Sequence, residues 1–168
     1  STTSGKALPM MAPGTVDNFV MFGSPGSGVR NIDAYGLPEG HVYESSIPDG
    51  DAVQGLGPDA SYGTNPRKLE GITHLSGDAT DAANYWTPTP PSIAGTAGVV
   101  ERAIHGFDNH MAYFEEGTRT SQDFANIIAG AKPTTDEEWE ALKKARGSPQ
   151  PSADDESESG SYTHLRAH

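Results

Sequence analysis

At 168 residues the chain is long enough for one domain, yet only 34% of it is apolar. Gly and Pro (20 and 13 residues) fill about a fifth of the chain, so loops dominate. Eleven basic against 23 acidic residues give a net charge of −12, a balance that repels phosphate backbones and argues against nucleic-acid binding, and 15 of the acids already lie within residues 1–130. Without Cys there is no disulfide, thiol redox centre or Cys-based zinc site, and no apolar run is long enough for a transmembrane helix.

Ser1–Met11 suits one or two helical turns, with Pro9 limiting the helix. Pro13-Gly14 marks a turn, and Val16–Phe22 follows as a buried-type strand with no charge after Asp17. It stops in the tight loop GSPGSG, Gly23–Gly28. Val29–Gly40 reads as an irregular connection, and His41–Ile47 as a second strand with Val42, Tyr43 and Ile47 as its apolar members. That strand ends in an acidic turn, IPDGD. Ala52–Lys68 is glycine-rich and polar, hence mostly loop, and Ile72–Leu75 suits a short third strand.

Gly77–Gly98 gathers Asp, Thr and Pro, with Tyr85 and Trp86 to pin it to the body. Val99–Phe114 has helical apolar spacing, interrupted at Gly106. Thr120–Ala129 predicts a helix capped by Thr120 or Ser121, with Phe124, Ile127 and Ile128 as its apolar face and Gly130 as its stop. Thr135–Arg146 predicts a separate amphipathic helix, with Thr135 as cap, acids in the first turn and bases in the last. The acidic, Ser/Pro-rich segment 147–168 predicts disorder. The organisation is thus a body over 1–130, a helix over 131–146 and a tail over 147–168.

Two strands that each stop in a Gly/Pro/Ser/Asp turn fit an α/β sheet, whose strand ends collect ligands and catalytic groups. The first turn, GSPGSG, spaces its glycines unlike the dinucleotide fingerprint, so a phosphate loop is weaker than a plain strand-end turn. The second offers Asp49 and Asp51, either as turn residues bonding their own backbone or as a carboxylate that orients a histidine. DGDAVQGLG lacks the alternating oxygens of a calcium loop. His110 in FDNHMAYF is a structural or a catalytic imidazole, and its five-residue spacing from His105 does not suit a helical zinc pair. His74 reads as packed within the third strand, and His164 and His168 carry no site signal.

No nucleophile elbow of Gly-x-Ser-x-Gly form occurs. Ser24-Pro25-Gly26 follows Phe22-Gly23, and its proline removes the backbone N–H that an oxyanion hole needs. A metal-dependent site of Asp49, Asp51 and His110, and an anion-binding module built on GSPGSG, stand as alternatives of other classes.

Taken in order, STTSGKAL, VDNFVMFGSPGSGV, HVYESSIPDGDAV and GFDNHMAYFEEGTRTSQDFANIIAG resemble an actinobacterial α/β-hydrolase family, formerly a domain of unknown function. The resemblance spans roughly residues 1–130 and implies the carboxyl-terminal portion of an α/β-hydrolase fold, parallel strands with flanking helices and long loops. It implies Asp51 as the triad acid, with Asp49 as its rival, and His110 as the base. STTSGKAL is similar to the residues that follow the family's elbow, so the serine and the first half of the domain are expected ahead of Ser1. The implied substrate is a small ester or amide, cleaved without metal or cofactor, and the chain alone is expected to be inactive. Lack of Cys and of a leader-like start favours the cytoplasm, with room for an export signal in a missing N-terminus.

Overall fold

Helices and a small parallel sheet alternate along the chain, an arrangement of the α/β class. The computed structural model describes residues 2–47, 51, 53, 58–79 and 110–147. Strands β1 (Phe19–Phe22), β2 (Val42–Ser45) and β3 (Thr73–His74) lie in that order and are all parallel. Phe19 pairs with Val42 and Phe22 with Ser45, while Glu44 pairs with His74.

FVMF is apolar at every position because both faces of the sheet are covered. Phe19, Met21 and Val42 point into one cluster with Leu8, Tyr35, Leu69 and Ile72. Val20, Phe22 and Tyr43 point into the other, with Ile47, Leu75, Tyr113, Phe124 and Ile127. The period-two alternation of the strand therefore feeds two cores.

Helix α1 (Thr2–Ala7) runs into a 3-10 turn at Leu8–Met10, which accommodates Pro9 in its first positions. It lies hard against the loop after β1. A Cβ on Gly5 would sit 1.9 Å from the Ser27 carbonyl oxygen, and the Thr2 hydroxyl donates to the Gly26 carbonyl at 2.7 Å. The Tyr35 hydroxyl closes the same corner by donating to the Ser27 carbonyl, and burial pushes its pKa up to about 12.

The first strand is shorter than the expected Val16–Phe22, because the ladder with β2 starts only at Phe19 N–H to the His41 carbonyl. The irregular connection after it holds a 3-10 turn at Ile32–Tyr35, and the glycine-rich loop holds a helical turn, α2 (Asp59–Tyr62), and a 3-10 turn at Pro66–Lys68. Residues 80–98, most of the proposed Val99–Phe114 helix and the tail from 148 lie outside the described residues. Of that helix, His110 and Met111 are helical and Ala112–Phe114 form a 3-10 turn.

Helix α3 (Arg119–Ile128) is capped by Thr118, whose hydroxyl accepts from the Ser121 amide at 3.2 Å, rather than by Thr120 or Ser121. Thr120 is instead buried, facing inward with Asp123, Phe124 and Ile127. Ile128 was expected on that face but is 87% exposed, since it lies one residue, or about 100° of helix, beyond Ile127. Helix α4 (Asp136–Gly147) carries the expected Thr135 cap in reciprocal form. The Thr135 hydroxyl accepts from the Glu138 amide, and the Glu138 carboxylate accepts from the Thr135 amide. Trp139 secures α4: Arg119 and Arg146 lie 4.7 and 5.7 Å from its ring, and its indole N–H donates to Asp78.

Glu44 is a buried carboxylate within β2, and His74 Nδ1 lies 3.7 Å from it on the neighbouring strand. Glu44 beside it holds the imidazole above its ordinary 6.5, with Asp136 adding to the effect and Arg67 opposing it. A raised pKa means that the pair strengthens the fold fully below pH 6.5 and loses that contribution as the pH climbs through the raised value. Because the His74 side chain is 38% exposed, the gain is modest, on the order of 0.5 kcal/mol. His74→Gln should therefore lower the melting midpoint at about pH 5.5 and leave it nearly unchanged at about pH 8.5; an equal loss at both would remove the ion pair as the cause.

Candidate functional site

The two strand-end turns singled out in the sequence meet at one carboxylate. Beyond β2 the chain passes through buried Ser46 and Ile47 and reaches Asp51, whose side chain is 0% exposed. A buried carboxylate needs donors, and among the described residues Val53, Tyr113 and His110 supply them. The Val53 amide donates to Oδ1 at 2.8 Å, an Asx turn that fixes the side chain on its own backbone. The Tyr113 hydroxyl donates to Oδ2 at 2.9 Å. His110 Nδ1 straddles both oxygens, 3.1 Å from Oδ1 and 3.0 Å from Oδ2.

The donor assignment follows from chemistry. An ionised carboxylate only accepts, so Nδ1 carries the proton and, in neutral His110, Nε2 is left as the basic nitrogen. The imidazole is 28% exposed by its side chain, so the pair is half-open: acid enclosed, base accessible. Among the described residues, the hydrogen bonds of His110 run to Asp51 alone.

Gly23, the first residue after β1, forms the floor of the pair. Its φ of 48° is left-handed, and a Cβ there would lie 2.2 Å from Asp51 Oδ2 and 2.6 Å from His110 Nδ1. The GSPGSG loop is thus the seat of the pair. Its amides at Gly23, Ser27 and Gly28 donate to the carbonyls of Ser45, Thr64 and Tyr62, which leaves few donors for an anion. Ser24 and Ser27 are buried, with their hydroxyls donating to the Gly26 and Val29 carbonyls.

Asp51 and His110, both named from the sequence, are brought together; Asp49 and His105 lie outside the described residues. The sequence marks Gly23 only as the start of the strand-end loop and Tyr113 only as part of FDNHMAYF, neither with a role at the pair. Tyr113 is one helical turn from His110, and that three-residue spacing in HMAYF was the available signal. Among the described residues no three His, Cys, Asp or Glu side chains converge on a metal position, and no helix is long and apolar enough to cross a membrane.

No protein-family model, curated protein or solved structure matches this chain. The chemistry of the site rests on its own residues.

Gly23→Ala should separate Asp51 from His110 at a cost of about 1–3 kcal/mol. The downfield Nδ1 proton resonance of a carboxylate-bound imidazole, expected in the unaltered protein, should disappear from the proton NMR spectrum of the variant. Its persistence at the same position would show that the backbone yields without disturbing the pair.

Proposed function

We propose that this chain carries the acid and the base of a serine hydrolase of the α/β-hydrolase type, acting on an ester or amide bond of a small molecule. The observation that carries the proposal is the contact of His110 Nδ1 with the enclosed Asp51 carboxylate, on the turn that follows a parallel strand. The order acid then histidine along the chain fits that fold. Both residues also stand where the family resemblance sets its triad acid and base.

In this reading His110 takes the proton of a serine hydroxyl through Nε2 as the serine attacks the substrate carbonyl. It returns the proton to the leaving group, and then takes one from the water that releases the acyl group. Asp51 keeps the ring in the Nδ1–H tautomer and stabilises the imidazolium formed at each transfer. Ser24 and Ser27, the serines of the loop beneath the pair, do not fit that role, being buried and committed to backbone carbonyls.

In a protein that joins this chain to such a serine, His110→Ala should lower kcat of the folded enzyme by about 10⁴-fold or more; unchanged turnover would sink the assignment. This chain alone should not react with a fluorophosphonate probe, and stoichiometric labelling would place the nucleophile within it.

A further inference from the structure

We propose that Tyr113 is a positioning residue that sets how tightly the Asp51–His110 pair holds its proton. The inference deepens the acid–base reading above and rests on it. Tyr113 is 0% exposed, and its ring packs against Phe22 and edge-on to His110, 5.5 and 6.3 Å between centroids. A phenylalanine would fill the same space, so packing does not account for the hydroxyl.

That hydroxyl stands between two fixed partners. The Ile47 amide donates to its oxygen at 3.1 Å, and an amide can only donate. The phenolic proton is therefore directed at Asp51 Oδ2, 2.9 Å away. Burial, with the charges of Asp51 and Glu44, pushes the Tyr113 pKa up, so the proton stays on the phenol. Asp51 and Glu44 are the ionised groups that bear on it. The outcome is a directed line of donors: Ile47 N–H to Tyr113, Tyr113 O–H to Asp51, and His110 Nδ1–H to the same carboxylate.

The consequence concerns charge. A hydrogen bond from the phenol draws negative charge from the carboxylate and weakens its hold on a protonated imidazole. Removing the bond makes Asp51 a stronger partner for the proton of His110. Strengthening it does the opposite. The Tyr113 hydroxyl thus keeps the base from being over-stabilised in its protonated state, and ties its strength to the end of β2 through Ile47.

The test is the His110 pKa of this chain, read by NMR titration of the imidazole resonances in four proteins. Asp51→Asn should lower it; no change would overturn the acid–base reading of the pair itself. Tyr113→Phe should raise it by about 0.5–1 pH unit. Replacing Tyr113 by 3-fluorotyrosine, a stronger donor of nearly the same shape, should lower it. Shifts of opposite sign are the expected result, since mere loosening of the packing moves both variants the same way. Shifts of the same sign, or no shift in either while Asp51→Asn still moves the value, would overturn the role of Tyr113 and leave the pair standing. Should Tyr113→Phe fail to fold, the fluorotyrosine protein decides: a fall supports the proposal and an unchanged value overturns it.

Discussion

A carboxylate shut away from water costs several kcal/mol unless its charge is answered, and among the described residues the charge of Asp51 is answered by Val53, Tyr113 and His110. Each hydrogen bond to a charged group returns about 1.5–3 kcal/mol, so the Val53, Tyr113 and His110 donors together offset a penalty that none could meet alone. That requirement orders the surroundings. It fixes the turn after β2 by an Asx bond, draws the His110–Phe114 segment onto the end of the sheet, and demands a residue without a side chain at the end of β1.

The sheet supplies the frame on which this can happen. With β1, β2 and β3 parallel, their carboxyl ends fall on one edge, so the loops after β1 and β2 meet there. Apolar cores on both faces hold the strands in register, and the second core also grips Tyr113 between Phe22 and Ile47. Phe124 of α3 packs on Phe22 in turn, so the helix after the histidine braces the residue that touches the acid.

Chemically the arrangement separates two tasks. The enclosed carboxylate fixes a tautomer and balances a charge, and in the function proposed the partly open imidazole offers the nitrogen that meets the nucleophile. His74 and Glu44 show the same pair of residue types used differently. There the two side chains face each other at 3.7 Å across adjacent strands, and their effect is on the stability of the sheet rather than on a reactive edge.

Much of this was legible in the sequence. The strand positions followed from apolar runs that stop in turns, the bounds of the last two helices came within two residues, and the Thr135 cap followed from its Thr. Asp51 and His110 were nameable because turn acids and a histidine between aromatics are local patterns. Local pattern could not show that Thr120 is buried and Thr118 caps, or that Ile128 turns to solvent while Ile127 does not, because packing decides which way a short helix is rotated. Nor could it reveal Gly23 as the floor of the pair or Tyr113 as the third member. Those roles depend on groups 59 and 62 residues apart in the chain, and only the closing of the sheet brings them to one carboxylate.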